Sequence, residues 1–223
     1  VWAGLRAKVW RSGAQPFFSS SGSFSMTIAI RDVAQHDLDA VLALNNQAGP
    51  GIIPIDKHRL RHLFELARYF KVAELDGVIA GFLVGMSPDA AYDSPNFNYF
   101  KQRFDDFFYI DRVVIANAFR RHGIGRVIYA DVLSFAEIRY PRLTTEVFIE
   151  PRDDVSLVFF GTQDFSEVGQ QVLSEARRVS LMVKPLKITY DFVRETYLQE
   201  AQRSLAELWP DRLNGNAALR RTA

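Results

Sequence analysis

Phe107 to Ala116 (FFYIDRVVIA) is an almost unbroken apolar run, and a helical pattern begins a few residues later at Gly123. A run of this kind reads as a strand buried on both faces. The chain must therefore supply a covering layer on each side of the sheet that contains it. Gly123 to Arg139 supplies one such layer, a helix with Ile124, Val127, Ile128, Val132, Leu133 and Phe135 apolar.

The flanking sequence alternates between strand and helix patterns. Thr27 to Val33 (TIAIRDV) has the alternation of a half-buried strand. Asp37 is placed to cap a helix over Asp37–Ala48, and Gly49-Pro50-Gly51 ends it. Asp56 opens a second helix, Asp56–Tyr69, with Leu60, Leu63, Phe64 and Ala67 on one face. Phe70 to Glu74 and Val78 to Met86 read as a hairpin across Asp76-Gly77. Gly81 and Gly85 in its second strand mark close packing or a bulge. Ser87 to Asp106 reads as a long aromatic loop, a lid-like segment. Its Tyr92, Phe97, Tyr99 and Phe100 are either core packing or a substrate cage. Strand Leu143–Ile149, a short helix Val155–Phe160 and a strand pair over Val168–Val183 complete the pattern. Intermixed strands and helices predict an α/β (α+β) fold, a mixed sheet flanked by helices. A last helix, Thr189 to Leu208, carries Val193, Tyr197, Ala201, Leu205 and Leu208 on one stripe, for packing on its own domain or in a homodimer.

Composition narrows the function classes. The 223 residues carry a net charge of +1, so no whole-molecule field points to nucleic acid or an anionic membrane. The absence of cysteine removes disulfides, thiolate metal sites and a cysteine nucleophile, and is compatible with a cytoplasmic protein. Val1 to Ser25 contains Arg6, Lys8 and Arg11, no acid, and a Ser/Gly cluster before Met26. It reads as an upstream extension or mis-called start, or else as a targeting-like leader. The expected organisation is an extension at 1–25, one domain at 26–184, and a C-terminal helix and tail at 185–223.

The chemistry concentrates in Tyr109-Ile-Asp-Arg-Val-Val-Ile-Ala-Asn-Ala-Phe-Arg-Arg-His-Gly-Ile-Gly-Arg126. The first turn of a helix offers unpaired N–H groups and the positive end of its dipole. Gly123 and Gly125 let a phosphate approach the backbone, and Arg120, Arg121, His122 and Arg126 add positive charge. Arg126-Val127 does not supply the Lys-Ser/Thr of a P-loop, and Ile128 stands where a dinucleotide fold has its third glycine.

The spacing Arg120-x-x-Gly123-x-Gly125 after a V-x-I strand resembles motif A of the GNAT acyl-coenzyme A N-acyltransferases. Asp153-x-x-Ser156-x-x-x-Phe160 followed by Phe165 is similar to that family's Asn-x-x-Ala/Ser-x-x-x-Tyr…Gly-Phe segment. The resemblance spans roughly Thr27 to Lys184. YDSPNFNYF, YIDRVVIA and TEVFIEP look like a group of uncharacterised bacterial predicted acetyltransferases within the superfamily.

The resemblance implies a mostly antiparallel sheet whose central strands splay apart. Acetyl-coenzyme A would lie in the gap as co-substrate, without a metal. Val113, Val114 and Ile115 would bind its pantetheine arm, and Arg120, Arg121, His122, Gly123, Ile124, Gly125 and Arg126 its pyrophosphate. Asp153, Ser156 and Phe160 would lie beside the arm. The Val113 amide would hold the oxyanion while a small-molecule or peptide amine attacks directly. Asp111 or Glu146 is the candidate general base; Asp111 is expected on the same side of its strand as Tyr109 and Val113. The family's tyrosine acid falls at Phe160, leaving Tyr109, Tyr99 or water.

Other readings stay open at this level. Asp111 could simply pair with Arg112. His58 and His62 have i, i+4 spacing but flank no glutamate, which argues against a metal pair. Arg59, Arg61, Arg68 and Lys71 suit either an acidic acceptor or a solvated face. A non-catalytic acyl-coenzyme A sensor and an assembly protein built on the C-terminal helix are the rival functions.

Overall fold

The computed structural model describes residues 26–198. Seven strands form one sheet in the order β1-β2-β3-β4-β5-β7-β6. They are β1 (Ile28–Asp32), β2 (Tyr69–Leu75), β3 (Val78–Met86), β4 (Phe108–Ile115), β5 (Arg142–Glu150), β6 (Ser166–Ser174) and β7 (Arg177–Pro185). Every neighbouring pair is antiparallel except β4 and β5. Helices α1 (Leu38–Gln47), α2 (Lys57–Leu66) and α3 (Pro95–Lys101) pack on one face; α4 (Ile124–Ala136) and α5 (Asp154–Gly161) pack on the other. The mixed, mostly antiparallel α/β fold expected from the sequence is the one observed.

Local chemistry explains the element boundaries. Asp56 accepts from the Arg59 amide at 2.7 Å and caps α2, a contact worth about 1 kcal/mol. The Asp76-Gly77 turn has φ of 50° and 81°, the doubly positive φ of a two-residue type I′ hairpin. Asp37 does not cap α1 with its side chain. Its buried carboxylate instead accepts from the Ala34 amide at 2.7 Å and from two nitrogens of Arg31 at 2.6 and 3.0 Å, tying β1 to the start of α1.

The 87–106 segment is not a structureless loop. Ser94 caps α3, with Pro95 in its first turn, the arrangement that suits a helix start. Phe97 and Phe100 are fully buried against Phe107 and Tyr109, so these aromatics are core rather than a substrate cage. Tyr99 reaches over to β6 and donates to the Val168 carbonyl at 2.9 Å. The side chain presses on Gly169, where any Cβ would collide with the Tyr99 hydroxyl. Helix α3 is thereby fixed across the sheet.

A bulge in β4 changes the side-chain pattern. Val84 pairs with Arg112 but the next residue, Gly85, pairs with Ile110, leaving Asp111 as the extra residue. Tyr109 and Val114 consequently pack into the α1–α3 face, while Val113 and Ile115 join the α4 face. The expectation that Tyr109, Asp111 and Val113 share one side is therefore wrong: unbroken alternation fails across the inserted residue. Gly85 sits at this bulge, where a Cβ would run into the Phe108 ring.

The C-terminal helix begins earlier than expected, as α6 (Lys187–Val193), and widens to a π-type turn over Arg194–Leu198. Tyr197's neighbours on the expected stripe, Ala201, Leu205 and Leu208, lie outside the described residues, as do residues 1–25. Among the described residues no helix is long and apolar enough to cross a membrane.

Candidate active site

Strands β4 and β5 pair only through Phe108↔Leu143, Tyr109↔Thr144 and Ile110↔Thr145, then diverge. The buried Thr145 hydroxyl donates to the Ile110 carbonyl at 3.0 Å and pins the fork. Beyond it the sheet holds a cleft of about 820 Å³. Its wall takes residues from both faces: Ile124, Phe159 and Phe160 on the α4 side, Asn96, Phe148 and Leu173 on the α1–α3 side. The opening thus passes through the sheet.

The backbone of β4 lines this opening. Ala116 donates its amide to the Ala80 carbonyl on β3 at 2.9 Å. Successive amides of a strand point to opposite edges, so those of Ile115 and Val113 face the gap. Val114 turns its backbone to β3 and its side chain into the core, reaching only a recess of about 150 Å³ beside the cleft. Val113 and Ile115 line the cleft itself.

At one end stands the start of α4. Gly123, its N-cap, has φ of 83°, a left-handed conformation costly for any residue with a Cβ. This conformation explains Gly123 without a ligand. Gly125 is different: a Cβ there would find no protein atom nearer than 3.9 Å, leaving open room at the helix start. Arg120, Arg121, Gly123, Ile124, Gly125 and Arg126 all line the cleft. His122 does not; its exposed ring contacts the Arg120 carbonyl at 3.0 Å. The Arg126 and Val127 amides are taken by the Gly123 carbonyl at 3.0 and 3.1 Å, and the helix start ahead of them, with three guanidinium groups and an open glycine, suits a phosphate-bearing ligand.

Asp153 and Ser156 stand on the same wall but are bonded to each other. The Asp153 carboxylate caps α5 through the Ser156 amide at 3.1 Å and hydroxyl at 2.7 Å. Gly51 approaches so closely that a Cβ there would strike the Asp153 carboxylate. Phe160 is buried against Phe159 and Phe165 and forms part of the cleft wall.

At the fork stand two carboxylates. Asp111 and Glu146 are the residues immediately beyond the last pair, Ile110↔Thr145. Asp111 is almost wholly committed: its side chain is 4 % exposed, bound by Arg112 at 2.6 Å and by the Tyr92 hydroxyl at 2.5 Å. Arg112 continues to Asn45 of α1 at 2.8 Å. Burial opposes the Arg112 charge, but Asp111 beside it outweighs that and holds its pKa above the usual value. Asp111 therefore serves as the counter-ion of a buried guanidinium, and the simple pairing left open by the sequence is the one found.

Glu146 is bound differently. It is only partly buried and lines the cleft. The Tyr109 hydroxyl donates to it at 2.6 Å, and the Asn96 side chain is a second polar neighbour that lowers its pKa. Withdrawal from water, and then the nearby Asp111 charge, push its pKa up to about 8 against those two neighbours. Tyr109 is fully buried; burial and then Glu146 hold its hydroxyl well above the usual tyrosine range. Tyr109 touches the cleft only through Glu146. Tyr99 is bonded to β6 and absent from the cleft wall.

The basic residues considered for an acidic acceptor are not on this wall. Arg59 pairs with Asp93 at 2.8 Å and lies over the Tyr92 ring, and Lys71 pairs with Asp131 at 2.8 Å. Arg61 and Arg68 do not line the cleft either. Asn96 and Arg112, which do, were not singled out by sequence. Ser94-Pro95 signals the helix that carries Asn96, but nothing local signals where its side chain falls.

A family model described as the Acetyltransferase (GNAT) family matches residues 38–157, more than half of the 223. The chain belongs to the GNAT acetyltransferase family. Solved structures share its fold. Ard1 from Thermoplasma volcanium has a TM-score of 0.58 at 17% identity, covering 71% of this chain and 97% of its own. The ribosomal-protein-S18-alanine N-acetyltransferase from Escherichia coli has a TM-score of 0.55 at 13% identity, covering 72% and 94%. The yncA protein of Salmonella typhimurium, solved with its cofactor acetyl-CoA, has a TM-score of 0.54 at 18% identity, covering 72% and 94%. No curated protein sequence matches this chain.

Proposed function

We propose that this protein transfers an acetyl group from acetyl-coenzyme A to a primary amine, by direct attack within a ternary complex. The observation that carries the reading is the fork. Beyond Ile110↔Thr145 the strands leave an opening that has β4 amides on its edge, a helix start at one end and Glu146 at the other.

The residues present fit the coenzyme. The amides at the start of α4, with Arg120, Arg121 and Arg126, would hold its pyrophosphate, and Gly125 leaves the room it needs. The edge of β4 at Val113 and Ile115 would hydrogen-bond the pantetheine arm as a neighbouring strand does. Bound acetyl-coenzyme A supplies an activated acyl group with a thiolate leaving group. Val113 would donate its amide to the acyl oxygen as negative charge develops there.

Glu146 acts as the base. Ionised, it takes a proton from the ammonium, and the freed nitrogen lone pair forms the new C–N bond. The tetrahedral adduct gives up a second N–H proton to solvent as the C–S bond breaks, and the thiolate leaves and is protonated from solvent. Tyr109 does not serve as that acid, because it is buried off the cleft wall with its hydroxyl turned to Glu146. Its part is to hold the carboxylate in place and favour the ionised form.

Thiol release from acetyl-coenzyme A in the presence of a panel of primary amines tests the reading, with Glu146→Gln as control. Amine-dependent release that falls by about 10²-fold or more in the variant is expected for loss of a general base. Coenzyme binding with no amine-dependent release would instead favour an acyl-coenzyme A sensor.

A further inference from the structure

The opening between β4 and β5 has two unlike sides. The helix start that suits phosphate lies on the α4 side, with Ile124, Phe159 and Phe160. Glu146 faces the other way. It alternates in step with Phe148 along β5, and the two pair with Leu181 and Val179 of β7, both part of the α1–α3 core. An acceptor that reaches this base from its own side would meet the wall around it there.

That wall is largely hydrocarbon. Ile52, Phe148 and Leu173 pack with the α1–α3 core and line the cleft. Leu173 owes its place to a bulge: Val172 pairs with Arg178 and Ser174 with Arg177, which leaves Leu173 as the extra residue of β6. Its neighbour Val172 is 64 % exposed, whereas Leu173 is half-buried. A separate set of contacts holds Ile52. Asn45 accepts from Arg112 at 2.8 Å and donates to the Ile53 carbonyl at 3.2 Å, which fixes the loop after α1.

Among the described residues lining this side, Glu146 is the one charge without an ionic partner. The guanidinium groups on the cleft wall belong to Arg112, Arg120, Arg121 and Arg126. The last three stand around the start of α4, and Arg112 is spent on Asp111 and Asn45. Asp111 is closed off in turn by Arg112 and Tyr92. A second charge on the acceptor would lose its water here without gaining a partner, which is costly. An apolar body is instead favoured by its own withdrawal from water.

We propose that the acceptor carries its nitrogen on an uncharged apolar body that seats against Ile52, Phe148 and Leu173, and that Leu173 is a specificity-determining residue. The proposal rests on the acetyl-transfer reading above and narrows it to one class of acceptor. Alkyl and arylalkyl amines fit this wall; polyamines and amines that carry a carboxylate do not.

The test follows thiol release from acetyl-coenzyme A with butylamine, hexylamine, 6-aminohexanoate and 1,6-diaminohexane, in the intact enzyme and in Leu173→Lys. The last three amines share one chain and differ in what ends it. Hexylamine should exceed butylamine by about ten-fold in kcat/KM, the order expected for two methylenes moved out of water. It should exceed both charged analogues by about ten-fold or more. Leu173→Lys supplies the missing cation, so its ratio of 6-aminohexanoate to hexylamine should rise at least ten-fold, with coenzyme binding by calorimetry unchanged. Hexylamine is also titrated into the intact protein loaded with coenzyme A, which reads the wall without turnover. It should bind more tightly than 6-aminohexanoate.

Equal use of hexylamine and its charged analogues by the intact enzyme, or preference for either analogue, overturns the proposal, and this arm stands even if the variant fails to fold. An unchanged ratio in a folded Leu173→Lys that binds coenzyme removes Leu173 as the specificity residue. Coenzyme binding with no hexylamine binding to the loaded protein overturns the acceptor class and leaves the coenzyme site standing. Absence of coenzyme binding in the intact protein strikes the acetyl-transfer reading itself, and the proposal falls with it.

Discussion

The Tyr109 hydroxyl donates to the Glu146 carboxylate at 2.6 Å across the point where β4 and β5 part. A residue buried in the α1–α3 core thus reaches the cleft through one hydrogen bond, and it links the packing of the sheet to the proton chemistry of the site.

Glu146 should set the pH dependence of turnover. Its pKa is pushed up to about 8 by burial and by Asp111, and a base works only when ionised, so kcat/KM should rise with pH through about 8 and then level. The same shift has the opposite sign for stability. The folded state binds this proton more tightly than the unfolded chain, so the group's contribution is full below the model-peptide value of 4.5 and is lost as pH climbs through about 8. Melting curves of Glu146→Gln against the intact protein should diverge in the variant's favour over that window.

Removing the Tyr109 hydroxyl should act on the same group from the other side. This hydrogen bond lowers the Glu146 pKa, so Tyr109→Phe should move the midpoint of the pH–rate profile upward. At alkaline pH its rate should approach that of the intact enzyme. A loss that is independent of pH would instead assign the hydroxyl a direct part in the chemistry.

The two glycines at the start of α4 should respond with opposite signs. Gly123→Ala places a Cβ at φ of 83° and should destabilise by about 1–2 kcal/mol. Gly125→Ala meets only ordinary contacts at 3.9 Å, from Ile115 and Phe159, and gains about 1 kcal/mol of helix propensity. Thermal melts should therefore show Gly125→Ala at or above the intact protein, while its coenzyme affinity falls.

Asp37 should govern part of the acid stability. Arg31 beside it, helped by the Ala34 amide and opposed by burial, holds its pKa down at about 2. A depressed carboxylate contributes stability that is full above the unfolded value of 3.8 and is lost as pH falls through about 2. Asp37→Asn should lower the melting temperature at neutral pH, and the gap should narrow in that acid window.

Much of this arrangement was legible in the sequence. The buried character of β4, the Asp76-Gly77 hairpin and the arginine-glycine turn before α4 each follow from local patterns, because their causes lie within a few residues. The bulge at Asp111 does not. Its registration error depends on how β3 and β4 meet, and alternation read along one strand placed Tyr109 and Val113 together when they face opposite layers. Helix α3 was read as loop although Ser94-Pro95 is a helix start, since its aromatics lack a helical stripe and are held by Tyr109 and Gly169, distant in sequence. The choice between Asp111 and Glu146 was likewise beyond local reading. It turns on Arg112 and Tyr92 closing around one of the two carboxylates on the cleft wall and leaving the other without a cationic partner in hydrogen-bond contact.

Calorimetric titration of acetyl-coenzyme A into the intact protein and into Gly125→Glu tests the central claim most directly. Gly125→Glu fills open space at the helix start with a negative side chain and should leave the fold intact by circular dichroism. The account predicts micromolar binding to the intact protein and none to the variant. No binding to the intact protein, or equal binding to both, would contradict it.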